Sequence, residues 1–518
     1  MSLASLRLPF EFLHSRWRNG FAVVLAALAA YECAQLIVND DRVFLYYVGL
    51  AILGIATFLA TLRNWRTGLY CFITWIVVED LIRKYLGNNM LIYFAKDFLV
   101  VAVYLSFFMS RRFTCTKLYK PRFRVIFLVF FWFCILQAFN PASTSIFFGV
   151  LGLKLCFLYA PLLLVGHALI DSEKELRRFF TFNSVLILIV AGFGIAQSIL
   201  GPKFLNPETI QEDIRSLSTT YRTSPITGLS AYRPTSFFVS AGRFQNFLIV
   251  SWLLALGFGG FLLMRKQKGR WLGFTTLGIV AGACLMTASR GVFMWTLVSA
   301  IIIAIAFVWG ANLSNEQRIR ARRAIRRATL GVALAIGVLV TVYPREVASR
   351  VAIYSETLSP YSSASELAYR SRQYPWQNFV AAFDYSRWPY GYGIGTASLG
   401  VQYVIRLMHA PPMNIAVENG YGQLVIEIGI VGLLLWILMG FAITRCAWAD
   451  VKNLKGTVWF PLAFAIFWYA FLLLFPMSFY GFTAYQDFVM NAYFWLLLGI
   501  LFRLPEFSKQ DTQITGHP

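Results

Sequence analysis

The chain reads as an all-α, polytopic integral membrane protein of about fourteen transmembrane helices (twelve to fourteen), with a large arginine-rich, partly helical loop on its outward face. Three observations predict this. Hydrophobic residues make up 58% of the 518 residues and mean hydropathy is +0.62, more apolar surface than a soluble domain of this length can hide. The apolar residues gather into long runs of helix-spanning character. The loops between the runs swing in charge from side to side.

Apolar spans are expected near 19–38, 43–62, 68–86, 91–110, 124–140, 148–170, 183–200, 239–263, 272–287, 291–309, 328–343, 421–444, 457–475 and 485–502. Several are short for a crossing helix of ~20 residues, so tilted or re-entrant pieces are expected. The first follows Arg7, Arg16 and Arg18 and contains Ala-Leu-Ala-Ala at 27–30, the small-residue pattern of a cleavable signal peptide. We read it as a retained helix, because cleavage would break the alternation of the spans. No polar block is long enough for a separate soluble domain, so residues 1–518 form one membrane domain.

Orientation follows from charge. With the N-terminus in the cytoplasm, the runs RRFTCTKLYKPRFR (111–124), RKQKGR (265–270) and RIRARRAIRR (318–327) all fall inside, and both termini are cytoplasmic. The opposite orientation would put these runs outside, against the positive-inside bias. The net charge of +22 is thereby assigned to the anionic inner leaflet, and nucleic acid is not expected as a partner. The outward side then carries thirteen arginines but only two lysines, Lys84 and Lys203.

Two outward segments are long, 201–238 and 343–420. In the second, Trp376, Phe379, Val380 and Phe383 recur at helical spacing, which predicts an interfacial helix near 371–384. A helix packed on the loop's own small core fits the same spacing. None of the seven cysteines falls in an outward segment, so structural disulfides are not expected. No CxxC or Cys/His cluster suggests a metal site, and neither metal nor cofactor is expected.

The chemistry suggested is recognition of a phosphate. The larger loop carries Arg345, Arg350, Arg370, Arg372, Arg387 and Arg406 and no lysine, and the smaller carries Arg215, Arg222 and Arg233, with Arg243 just beyond. Headgroup contacts alone would also accept lysine, whereas a planar guanidinium matches a phosphate with paired hydrogen bonds. Arg290 sits in the tight turn Thr-Ala-Ser-Arg-Gly (287–291) between two spans, where a cation is costly without an anion. Bonding to backbone carbonyls would also satisfy any one of these arginines.

Glu418 closes the large loop where the next span begins, well placed as a base at the water–membrane boundary. An acid that only complements the helix dipole would occupy the same place. His409, nine residues earlier beside Ala-Pro-Pro, is the competing base, or a plain surface histidine. Glu427, deeper in the span, reads as a buried structural residue. Gly391-Tyr-Gly-Ile-Gly395 reads as a turn that lets backbones approach closely, because no strand precedes it as a dinucleotide loop requires. Lys96, Asp97 and Lys154 are expected to pair with each other or with Glu79 and Asp80.

Four local matches make the chain resemble the bacterial O-antigen ligase and O-antigen polymerase superfamily, multi-span transferases of lipid-linked glycans. Met286-Thr-Ala-Ser-Arg-Gly-Val292 resembles its Thr-x-Ser-Arg-Gly segment. Tyr232-Arg-Pro-Thr-Ser-Phe237 is similar to its Arg-x-x-Gly-x-Phe stretch, with Ser236 in the glycine's place. Arg372-Gln-Tyr-Pro-Trp376 and Pro389-Tyr-Gly-Tyr-Gly393 resemble its Arg-x-x-x-Trp and Pro-x-x-Gly-x-Gly elements. Glu418-Asn-Gly-Tyr421 through Glu427-Ile-Gly429 resembles its His-Asn-x-Tyr…Glu-x-Gly segment. The likeness covers about residues 230–435.

The resemblance implies a pyrophosphate clamp from Arg290 and Arg372, with Arg233 as a third member and Arg370 and Tyr421 as further substrate-binding candidates. It implies acceptor activation at Glu418, assisted by Asn419. Ligases of the family carry histidine where this chain has Glu418, which favours polymerisation over ligation to lipid A-core. The expected reaction is inverting, metal-independent glycosyl transfer from a polyprenyl-pyrophosphate-linked oligosaccharide to an acceptor glycan, at the periplasmic face of a bacterial inner membrane. Other polysaccharide assembly proteins are possible partners. The rivals are an O-antigen ligase to lipid A-core or protein, a lipid-linked-sugar flippase, and a membrane scaffold.

Overall fold

The computed structural model describes residues 42–87, 89–114, 117–207, 212–224, 227–265, 269–310, 340–358, 369–408, 415 and 417–515, with single positions between 311 and 339. The chain is all-α. The described residues add one short antiparallel strand pair, Tyr221–Thr223 with Ser230–Tyr232, in which Arg222 lies opposite Ala231.

Among the described residues, eight helices are long and apolar enough to cross a membrane: Leu91–Phe113, Ile146–Leu169, Glu173–Leu200, Ala241–Met264, Arg290–Gly310, Gly420–Asn453, Phe460–Tyr480 and Phe488–Ser508. This corrects the expectation of fourteen. The spans expected near 19–38 and 328–343 lie wholly or mostly outside the described residues. The one near 68–86 does form a helix, Trp65–Leu86, but its final turns carry Glu79, Asp80, Arg83 and Lys84. Those near 124–140 and 272–287 form apolar helices that are too short, Arg124–Ala138 and Arg270–Met286, while the one near 43–62 forms the 22-residue helix Arg42–Arg63, whose side chains are described only from Val48 on.

The outer faces of these helices are apolar. Val125, Leu128 and Trp132, then Ile301, Ile305 and Val308, then Leu434, Leu438 and Phe441, are exposed at three- and four-residue spacing. Each such side chain gains about 1.5–3 kcal/mol on leaving water, so contiguous stripes of them suit hydrocarbon and not solvent.

Inside the bundle the Phe488–Ser508 helix is the most enclosed. It crosses Leu162–Leu169 with backbone against backbone. A Cβ on Gly166 would meet the Leu496 carbonyl oxygen, and one on Gly499 would meet the Leu163 carbonyl oxygen. Glycine on both helices is what permits this approach.

The Gly420–Asn453 helix is interrupted at Gly429, whose φ of 72° and ψ of 179° suit glycine alone. The interruption leaves carbonyls without their helical partners. The turn at 389–395 fills the gap: Tyr392 N donates to Ile426 O (2.8 Å) and Gly393 N to Glu427 O (2.9 Å). Gly391, Gly393 and Gly395 all have positive φ, and a Cβ on Gly391 would meet the Glu427 carbonyl oxygen. The close backbone approach expected of this turn is therefore what the fold contains.

Because the helices alternate in direction, the turns after residues 86, 138, 200, 286 and 480 gather at one end of the bundle with the start of the 420–453 helix. Side chains tie this end together. Lys84 Nζ donates to Thr235 Oγ1 and Ser236 O (both 2.8 Å), and Asn140 Nδ2 to Gly391 O (3.1 Å).

Candidate functional site at one end of the bundle

Several of the residues expected to carry chemistry lie at this end, in two groups. The first surrounds the start of the 420–453 helix. Asn419 is buried and caps that helix, its Oδ1 accepting from Gly422 N (2.9 Å). Its Nδ2 donates to Pro375 O (3.0 Å), which fastens the Tyr374–Ala381 helix to the span. This short helix falls within the stretch expected near 371–384, with Trp376 and Val380 exposed and Phe379 and Phe383 packed inward. Since Asn419 serves as the cap, the Glu418 carboxylate points outward and is exposed. It accepts from Tyr374 OH at 2.5 Å, while Glu418 N donates to Asn378 Oδ1 (3.1 Å). Tyr421 is half-buried and donates to Leu474 O (3.3 Å). Arg372 is exposed on the π-helical segment Tyr369–Gln373 that leads into the Tyr374–Ala381 helix. Arg370 belongs to the same segment, but its side chain, like the whole of His409, lies outside the described residues.

The second group surrounds Arg290, the first residue of the Arg290–Gly310 helix. It follows Ala288, whose φ of 52° is a left-handed value rare for a residue with a Cβ. Arg290 Nη2 lies 3.9 Å from Glu356 Oε2 on the Pro344–Leu358 helix, and Glu356 in turn accepts from Ser224 Oγ. Arg233 is half-buried at the end of the strand pair. Among the described residues its buried Nε has no hydrogen-bond partner. Burial pushes its pKa below the usual arginine value, as expected of a cation held away from water.

Arg350 organises this group. It is only 2% exposed. It donates from Nε to Met286 O (3.1 Å), from Nη2 to Ser198 Oγ (2.8 Å), and from Nη1 to Glu346 O (2.6 Å) and Glu346 Oε2 (2.5 Å). One guanidinium thus ties the Pro344–Leu358 helix to the end of Glu173–Leu200 and to the turn that presents Arg290. It is satisfied largely by backbone and neutral groups, the role that the sequence left open for any single arginine.

The two groups meet through aromatic rings. Trp295, one turn into the Arg290–Gly310 helix, contacts Tyr480 edge-on at 5.9 Å. Its neighbour Phe479 contacts Tyr421 at 5.6 Å and Phe379 at 6.4 Å. Arg290 and Glu418 are therefore connected through the 478–480 segment, although no direct contact joins them among the described residues.

Sequence reasoning treated the charges inside the spans as simple pairs. Pairing is present, yet the cluster is larger than expected. Fully buried Asp80 accepts from Arg83 (3.0 Å) and from Arg243 (2.9 Å), and Lys96 lies 3.1 Å from Glu79. Lys154 pairs with Asp97 at 2.5 Å, and Arg243 Nε lies 3.9 Å from Asp487. Lys96, Lys154 and Arg83 all lie within about 5 Å of the Tyr93 ring, whose negative face attracts cations. The signal was the charge itself, since ionisable side chains inside spans mark function or pairing. The contacts join residues up to 244 positions apart, from Arg243 to Asp487, which a linear reading does not reveal. Glu427 is buried as expected, but its partners are the loop groups Ala397 N (2.9 Å) and Ser398 Oγ (2.8 Å) in place of a neighbouring helix.

In comparisons with known proteins, no protein-family profile matches the chain, and no curated protein matches it.

Proposed function

We propose that the chain is a membrane glycosyltransferase of the O-antigen polymerase type, acting at the periplasmic face of a bacterial inner membrane. Its donor is a polyprenyl-pyrophosphate-linked oligosaccharide and its acceptor a sugar hydroxyl of a growing polysaccharide. The acceptor oxygen attacks the anomeric carbon, the bond from that carbon to the pyrophosphate oxygen breaks, and configuration inverts. Glu418 takes the acceptor proton. Polyprenyl pyrophosphate leaves with its electron pair, and Arg290, Arg233, Arg372 and Arg370 stabilise the negative charge that builds on it. The leaving group is good without protonation, so one base suffices, unlike the paired carboxylates of a retaining hydrolase.

One observation carries the reading. The exposed Glu418 carboxylate is held by the Tyr374 hydroxyl, directly beside the arginine-bearing segment 369–373. A base within one short helix of its substrate's anion-binding groups is the arrangement that such a transfer needs.

The test is release of polyprenyl pyrophosphate from a lipid-linked oligosaccharide with EDTA present, comparing wild type, Glu418→Gln and His409→Ala. Loss in Glu418→Gln alone supports the assignment. Loss in His409→Ala alone keeps the reaction class and moves the base. Acceptor preference then separates a polymerase from a ligase to lipid A-core or protein.

A second reading draws on the buried cluster around Asp80 and Lys96. Charge held inside a helix bundle is what substrate pathways use, and a lipid-linked-sugar flippase would have it. Movement of the lipid-linked sugar across a liposome bilayer, without release of polyprenyl pyrophosphate, would replace the enzyme reading.

A further inference from the structure

The opposite end of the bundle holds a cavity of about 110 Å³ that the proposed reaction does not use. It lies where the last turn of the Met90–Phe113 helix, the last turn of Leu162–Leu169 and the Phe488–Ser508 helix come together. Arg111, Lys117 and Arg503 line it, against a single acid, Asp171. That acid is ion-paired with Arg66, and Arg503 is ion-paired with Glu506. The wall is built, since Tyr119 stacks on His167 with ring centroids 4.1 Å apart and planes 13° apart. His167 Nε2 is buried and makes no hydrogen bond among the described residues, with Glu506 Oε1 at 3.6 Å.

A small, polar, net-positive cavity suits one compact anion with several acceptor oxygens. Its surroundings narrow the choice. Leu105, Phe108 and Met109, on the same helix as Arg111, are exposed, and so is Leu118 beside Lys117. A phosphate seated among the bases would have an apolar track running from it along the bundle.

We propose that this cavity binds the phosphodiester headgroup of an anionic membrane lipid, with the acyl chains along the Leu105–Met109 face. Basic pockets between helix ends are the general form of such sites. Lys117 is exposed and gives the headgroup its outer contact, Arg111 and Arg503 flank it, and the His167 ring closes its inner side.

The test uses the purified full-length protein in detergent, titrated separately with phosphatidylglycerol, phosphatidylcholine and inorganic phosphate, and read by native mass spectrometry and thermal unfolding. The expected result is retained phosphatidylglycerol, with a raised unfolding temperature and little effect of the other two. Lys117→Gln weakens that binding about fivefold, and adding Arg111→Gln weakens it by a similar factor again, from the contribution of one basic residue near an anionic headgroup. Lys117→Gln, at an exposed position, is expected to unfold like wild type when no lipid is added. Stabilisation by inorganic phosphate equal to that by phosphatidylglycerol would overturn the lipid assignment in favour of a soluble phosphate. Equal retention of phosphatidylcholine, or phosphatidylglycerol binding that survives both substitutions, would overturn the site.

Discussion

Replacing Arg350 by alanine should damage the fold more than its place in a loop-rich region suggests. Its guanidinium is buried and donates to Met286 O, Ser198 Oγ and Glu346 O within 3.1 Å. A hydrogen bond from a charged donor is worth ~1.5–3 kcal/mol, and acceptors left buried without a partner add a cost of their own. Two of the acceptors, Met286 O and Ser198 Oγ, belong to buried residues, so the loss is expected at about 3–5 kcal/mol. The ion pair with Glu346 contributes little of this, because that carboxylate's side chain is 43% exposed and screened by water. Glu346→Ala is therefore the control, with an expected cost below ~1 kcal/mol. Arg350→Lys should fall between them, since one ammonium cannot reach acceptors on three segments at once. The assay is thermal unfolding in detergent, paired with limited proteolysis of the 212–233 and 344–358 segments. Equal, small shifts for Arg350→Ala and Glu346→Ala would refute the reasoning. They would mean that the guanidinium is not what joins the Arg290 turn to the neighbouring helices.

Five further substitutions have outcomes that follow from the geometry. Tyr374→Phe should lower polyprenyl pyrophosphate release about tenfold while leaving unfolding near wild type, since it removes one hydrogen bond of ~1.5 kcal/mol to the exposed Glu418 carboxylate. Gly395→Ala, at a φ of 91° with its Cβ against the Phe148 carbonyl oxygen, should destabilise by more than ~2 kcal/mol. Gly192→Ala, at a helical site with open space around it, should be neutral or gain up to ~1 kcal/mol in the same unfolding assay. Asp80→Asn should cost about 3–5 kcal/mol, because Arg83 and Arg243 lose their shared counter-charge in the interior. Glu212→Gln, whose partner Arg215 is 3.8 Å away and whose side chain is 81% exposed, should change thermal stability by less than ~1 kcal/mol.

What could be seen in the sequence and what could not divides along physical lines. Apolar runs are local, so the positions of the eight long helices could be read directly from composition. The number of crossings could not, because hydropathy windows do not report where helices stop. Arg124–Ala138 ends after four turns, and Trp65–Leu86 keeps its charges only because Lys96 and Arg243 arrive from other helices to pair with them. The turn at 389–395 was legible from its glycines, but its docking partner was not, since Gly429 lies some 35 residues away inside a stretch that hydropathy reads as one continuous span. Of the candidate site, the placement of Glu418 at a helix start could be read from spacing. Tyr374 as its hydrogen-bond donor and Arg350 as the tie beneath Arg290 depend on tertiary contacts that spacing does not encode.

The joint between the 389–395 turn and the interrupted helix also constrains biogenesis. The turn leaves the ribosome before the helix that carries Gly429, and its Tyr392 and Gly393 amides have no place in the joint until Ile426 and Glu427 have entered the membrane. A nascent chain stalled between residues 395 and 426 would hold a turn without its dock. Conversely, a 420–453 helix inserted without that turn would carry bare carbonyls into the bilayer. Insertion of the helix and closure of the loop over it are thus coupled, since each leaves backbone groups without partners until the other is in place.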